Sequence, residues 1–176
     1  ELRLRTRTAC AFDGPCSIRY PKSAVSLPEG YSVSSFEIGK WPTLREGTDA
    51  VILAVGSMVA TALRVAEALA QDGISLTVVN ASTVKPLDME CLRRVFEMER
   101  PIFTLEEHVR MAGFGSSVLE AASEMGSQPR VKLLAVDDYF VPHGDHAHLL
   151  RDTGLDDESV IRTIRTELNR EESTNV

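Results

Sequence analysis

The chain has few cysteines, no long apolar run and no excess of positive charge. Three cysteines, Cys10, Cys16 and Cys91, stand among 176 residues without paired spacing. That excludes a disulfide scaffold or a CxxC-type zinc or redox motif, and it is the usage expected of a reduced, cytoplasmic protein. No stretch approaches the roughly 20 apolar residues of a membrane-spanning helix, and none reads as a signal peptide. The formal charge of −7 is spread along the chain, which disfavours nucleic acid or an anionic membrane as partner. The one basic run, "LRLRTRT" beginning at Leu2, alternates as one face of an edge strand does. The sequence opens at Glu1 rather than Met, so a piece of a longer protein is expected.

What is present is an ordinary globular composition, 43% apolar and 26% charged. The length suffices for one domain with a core that needs no disulfides, plus a remnant of another. "GPCSIRYPKSA" (14–24) reads as a terminal strand, Cys16 to Arg19, leading into a linker punctuated by Pro28, Gly30, Gly39 and Pro42. "DAVILAVG" (49–56) is then a continuous apolar run, as in a strand buried on both faces. A helix follows, with Val59, Ala62, Leu63, Ala66 and Leu69 on one stripe, Ser57 as its expected N-cap and Gly73 as its stop. Three more strands are predicted at 74–81, 101–107 and 130–138. They alternate with a helix at 88–99, with Leu92, Val95, Phe96 and Cys91 facing inward, and one opening at "GFGSSVLEA". Two helices, 145–153 and 157–171, close the chain. The alternation predicts an α/β, three-layer α/β/α fold on a mostly parallel sheet over residues 46–172.

Four stretches carry candidate chemistry. "MAGFGSSVLEA" (111–121) could offer backbone N–H groups to a phosphate, although it is neither GxGxxG nor a P-loop. The same glycines, 113 to 115, also suit a tight turn that lets helix and sheet pack closely. Glu106, Glu107 and His108 lie where the third strand ends, at the edge where open α/β sheets bind ligands, and two carboxylates beside a His could serve acid/base chemistry or metal binding. Successive strand residues point to opposite faces, so the two carboxylates cannot share a site if the strand persists; one of them is expected to cap the glycine turn. "HGDHAH" (143–148) invites a metal reading, but His146 and His148 diverge on a helix that Asp145 would cap. Arg19, beside Tyr20 and Pro21, suits bidentate binding of a phosphate or carboxylate, or is an ordinary surface arginine.

Taken in order, "GPCSIRYPK", "FEIGKWPTLREGTDAVILAVGSMV", "GISLTVVNASTVKPLD", "TLEEHVRMAGFGSSVLE" and "DDYFVPHGDHAHLLRDTGLDDESVIRTI" cover most of residues 13 to 165. Together they resemble the 1-deoxy-D-xylulose-5-phosphate synthases, thiamine-diphosphate enzymes of the transketolase superfamily. The resemblance implies a three-domain, homodimeric enzyme that condenses pyruvate with glyceraldehyde 3-phosphate for isoprenoid and thiamine synthesis. Residues 1–23 are then the terminal strand of the pyrimidine-binding domain, 24–45 an interdomain linker and 46–172 a transketolase C-terminal-like domain. The ligands of thiamine diphosphate and Mg2+, and the catalytic residues, lie upstream in that family. Neither cofactor is expected on this chain alone, which the resemblance makes architectural, dimerising and inactive by itself, with the missing domains as its partners.

The family's "IRYPRG" arginine falls on Arg19, which implies that it binds the substrate phosphate. The chain departs from the pattern at Lys22-Ser23, where the family has Arg-Gly, and at Ala112, where "MAGFG" replaces "MGGFG". Alanine is a mild change at that position unless the backbone needs a positive φ. Two other readings remain: a section of a split transketolase or of a 2-oxo-acid dehydrogenase β subunit, and a stand-alone oligomerisation or ligand-sensing module that binds at the 113–115 loop.

Overall fold

A computed structural model describes residues 1–21, 29–31 and 35–174. Lys22 and Ser23, where the chain departs from the family motif, lie outside the described residues. Five strands form one sheet: β1 (Thr43–Arg45), β2 (Ala50–Ala54), β3 (Leu76–Asn80), β4 (Ile102–Val109) and β5 (Val131–Val136). Their order is β1-β3-β2-β4-β5. β2, β3, β4 and β5 run parallel, and only β1 is antiparallel, paired with β3.

The unbroken apolar run of β2 is explained by helices on both faces. Ala50, Ile52 and Ala54 point into one core with Leu63, Leu69, Phe103 and Ile164. Val51 and Leu53 point into the other with Leu92, Val95, Ile102 and Val118. The first core is closed by α2 (Met58–Ala70) and α6 (Asp157–Thr174), the second by α3 (Met89–Glu97) and α4 (Phe114–Glu124). This is the three-layer α/β/α arrangement on a mostly parallel sheet that the alternation of elements predicts. In α3, Cys91, Leu92, Val95 and Phe96 are buried as the pattern requires. The buried Asp88 fixes its start, accepting from Cys91 N at 2.9 Å and from Trp41 N at 2.8 Å. No helix among the described residues is long and apolar enough to cross a membrane.

The sheet extends further toward the N-terminus than the sequence pattern indicates. Thr43–Arg45, within the segment read as linker, form β1. Trp41 is in the core, its indole N–H donating to Thr83 O at 2.9 Å and its ring edge-on to Phe114. Three residues of β1 carry too little pattern for a strand to be read, and their pairing with β3 supplies what sequence cannot.

The first residues also differ from expectation. "LRLRTRT" is not an edge strand but part of helix α1 (Leu2–Ala11). A helix satisfies its backbone within itself, whereas a strand needs a neighbour, and Glu1 and Arg5 pair at i,i+4 across its first turn. Cys16 to Arg19 have no regular secondary structure. They do not join the sheet, whose outer strands are β1 and β5.

Candidate functional site

The sheet order sets where a site belongs. β2 lies between β3 and β4, so the chain reverses direction across the sheet there. The crevice beyond the C-terminal ends of β2 and β4 is the topological switch point, where ligands of open α/β sheets bind. Gly56-Ser57 leaves β2 on that edge, and Glu106, Glu107 and His108 occupy the end of β4.

β4 continues to Val109, and the alternation of a strand therefore separates its two glutamates. Glu106 is 3% exposed. Its carboxylate accepts from the backbone N–H of Phe114 at 2.7 Å and of Gly115 at 2.8 Å, the first residues of α4. A carboxylate at a helix N-terminus meets both the free N–H groups and the positive end of the helix dipole. The glycines make this approach possible. A Cβ at Gly113 would stand 2.5 Å from Val109 O and 2.8 Å from Glu106 Oε2, and one at Gly115 would stand 2.6 Å from Leu133 Cδ2. The glycine stretch thus serves close packing, and the N–H groups that a phosphate would need are held by Glu106. Ala112 has φ of +55°, the left-handed conformation that glycine adopts without cost.

Glu107 faces the other way. Ser57 Oγ donates to its Oε2 at 2.5 Å, and His146 Nε2 meets its Oε1. Ser57 therefore does not cap α2 with its side chain, as its sequence position suggests, but reaches across the switch point to β4. His146 opens α5 (His146–Asp152), which Asp145 caps by accepting from Ala147 N at 3.0 Å and His148 N at 3.3 Å. His148 turns to Asp152 at 3.4 Å, so the two histidines serve different partners. Among the described residues no group of three or more His, Cys, Asp or Glu side chains is placed to hold a metal ion.

The chemistry open to this cluster is limited. Glu107 stands between the Ser57 hydroxyl and the His146 imidazole, so the imidazole is not seated on the hydroxyl as in a serine–histidine pair. His108 directs Nδ1 to Val109 O at 3.1 Å. Burial pushes the Cys91 thiol above its ordinary range, which keeps it from being a thiolate nucleophile at neutral pH. The cluster ties the exit of β2, the end of β4 and the start of α5 together at the sheet edge.

Residues 39–160 match the family model of the transketolase C-terminal domain. The chain belongs to that family. Among curated relatives, the 1-deoxy-D-xylulose-5-phosphate synthase of Shouchella clausii is 41% identical over 156 residues, which are 88% of this chain and 25% of the relative. Those of Pelotomaculum thermopropionicum and of Thermus thermophilus are each 42% identical, over 93% of this chain and 26% of the relative. This transketolase C-terminal unit, with its flanking residues, spans about a quarter of the length of these relatives. A solved split-gene transketolase, described as an inactive β4 tetramer, superposes with a TM-score of 0.83 at 34% identity, covering 95% of this chain and 54% of that one. The transketolase of Campylobacter jejuni shares the fold alone, with a TM-score of 0.57 at 16% identity.

Arg19 lies outside the matched transketolase C-terminal segment, exposed in irregular chain. The link of Ser57, Glu107 and His146 was not legible in the sequence. The pairs are separated by 50 and 39 residues, and no spacing rule joins positions so far apart. The one usable signal was positional: Ser57 lies just past β2 and Glu107 near the end of β4, two strands that the topology makes neighbours.

Proposed function

We propose that this chain is the C-terminal part of a thiamine-diphosphate-dependent synthase that condenses pyruvate with glyceraldehyde 3-phosphate, giving 1-deoxy-D-xylulose 5-phosphate and carbon dioxide. The observation that carries this reading is the 41–42% identity to synthases of that name over most of the chain. Within the reading, Arg19 holds the phosphate of the aldehyde substrate. A guanidinium presents a planar fork of N–H donors that matches two phosphate oxygens, and binding energy at that remote group orients the reacting carbonyl. The sheet unit has an architectural role, with a homodimer of the complete chain in the cytoplasm as its setting.

Among the described residues, those at the sheet edge do not fit the cofactor. The α4 N-terminus, where a glycine turn could cradle a diphosphate, is occupied by Glu106, and both oxygens of Glu107 have partners. Bound elsewhere in the enzyme, thiamine diphosphate supplies a carbanion equivalent for the decarboxylation and carbon–carbon bond formation. The proposed part of this chain is to bind and orient the aldehyde's phosphate through Arg19.

A second reading is favoured by the likeness to the split-gene transketolase: the chain is a section of a transferase encoded in two pieces. Both readings predict no turnover by this chain alone, and complementation separates them. The purified chain with pyruvate, glyceraldehyde 3-phosphate, thiamine diphosphate and Mg2+ is expected to form no 1-deoxy-D-xylulose 5-phosphate. Product from the chain alone would overturn the first reading, and activity restored by a separately encoded N-terminal partner would move the split enzyme to first place.

A further inference from the structure

We propose that Asn80 anchors the N-terminal segment to the sheet unit, and that the C-terminal end of β3, with the entry to β1 beside it, is the surface that receives helix α1. The inference stands on contacts within the chain and is independent of the reaction proposed above.

Helix α1 needs an anchor. It has 10 residues, and an isolated helix shorter than about 12–15 residues is marginal in water. Its side chains divide by face. Leu4, Arg5, Thr8 and Ala9 are half-buried, whereas Leu2, Arg3, Thr6, Arg7 and Cys10 are exposed. Positions i, i+1, i+4 and i+5 share one side of a helix, so α1 lies with that side against the rest of the fold.

Among the described residues, two contacts of polar or aromatic side chains join this segment to the sheet unit. The Asn80 amide Nδ2 donates to Glu1 Oε1 at 3.2 Å. The Arg5 guanidinium, which donates to the same carboxylate oxygen, lies 5.5 Å from the centre of the Phe36 ring. The two contact points are neighbours in the fold. Asn80 is the last residue of β3, and the segment holding Phe36 leads into β1, whose first residue Thr43 pairs with Val79. β2 separates this end of the edge from the cluster of Ser57, Glu107 and His146.

Asn80 is suited to holding a segment in place rather than to stabilising a core. Its side chain is wholly buried, yet Oδ1 has no hydrogen-bond partner among the described residues. Burying an unpaired amide oxygen costs free energy, so an apolar side chain of the same branching would serve the core as well. An apolar side chain cannot donate to Glu1. The Asn80 backbone is fixed on both sides, its N–H donating to Pro42 O at 3.0 Å and its C=O accepting from Ser82 N at 2.7 Å. The amide is thus presented from a rigid point and seats Glu1, and Arg5 follows through their shared oxygen onto Phe36. The irregular stretch that carries Arg19 extends from the helix held in this way.

Hydrogen exchange read by mass spectrometry on the 176-residue chain tests this. In the unsubstituted chain, the amides of α1 are expected to exchange more slowly than those of unstructured chain. Asn80→Leu keeps the branching of the side chain and removes the donor. It is expected to speed exchange in α1 about tenfold, the factor for losing one hydrogen bond to a charged group, and to leave β2 and β4 unchanged. Glu1→Ala, which leaves the core untouched, is expected to speed α1 at least as much. Adding Asn80→Leu to Glu1→Ala then gives no further increase, because both act through one contact. Exchange of α1 at the unstructured rate in the unsubstituted chain would overturn the proposal, as would unchanged α1 exchange in Asn80→Leu. If Asn80→Leu speeds the strands as well, Glu1→Ala decides, since among the described residues Asn80 is Glu1's one hydrogen-bond partner in the sheet unit. Faster exchange confined to α1 then supports the anchor, and unchanged α1 exchange overturns it.

Discussion

In the sheet unit, every residue of β2 and β3 is buried, and the two helical layers leave no face of those strands to solvent. In the first twenty-one residues, helix α1 buries none of its residues, and Arg19 stands in irregular chain open to solvent. The contrast bears on where function lies. The part of the chain with a complete core has its switch-point groups saturated by one another, Glu106 by α4 and Glu107 by Ser57 and His146. The part that carries the proposed substrate ligand has no core of its own. On the proposed function, architecture and chemistry are divided between the two regions, the sheet unit supporting a site built largely elsewhere.

If that division holds, the sheet unit fails first in stability. Glu106→Ala removes the acceptor of two buried N–H groups and is expected to cost about 3 kcal/mol. By the scaling for chains of this size, thermal denaturation would show the midpoint falling by roughly 6–12 °C. A midpoint that does not move would mean that the α4 N-terminus is satisfied in another way and that the edge is open to a ligand after all.

A smaller change of opposite sign sharpens the same point. Ala112 holds a left-handed φ of +55° at the position where the family motif has glycine. Ala112→Gly is expected to stabilise the chain by about 1 kcal/mol, roughly 3 °C in midpoint. A loss of stability would show that the alanine methyl makes a packing contribution that outweighs the strain.

Much of the sheet unit was legible in the sequence because its signals are local. The apolar run of β2, the stripe of α2 and the inward face of α3 each repeat with the period of the element they form. The separation of Glu106 from Glu107 follows from the period of a strand, and the cap that Asp145 makes on α5 follows from its place before a helix. What failed depended on partners. β1 exists because β3 offers it an edge, and Leu2–Ala11 is helical where alternation suggested a strand. Ser57 has the identity and place of an N-cap, yet its hydroxyl is drawn to a carboxylate fifty residues away. Pairings of that range depend on the folded topology and leave no trace in residue spacing.

The central claim, that chemistry enters through the N-terminal segment while the sheet unit supports it, is tested most directly by Arg19→Ala in the complete enzyme that carries this unit. Steady-state kinetics and thermal denaturation are to be measured on the same preparation. The account predicts that kcat/KM for glyceraldehyde 3-phosphate falls on the order of 100-fold, as expected when a phosphate loses its bidentate partner. The melting midpoint stays unchanged, because an exposed side chain in irregular chain contributes within about 0.5 kcal/mol. Unaltered kinetics, or a drop in melting temperature that accounts for the lost activity, would contradict it.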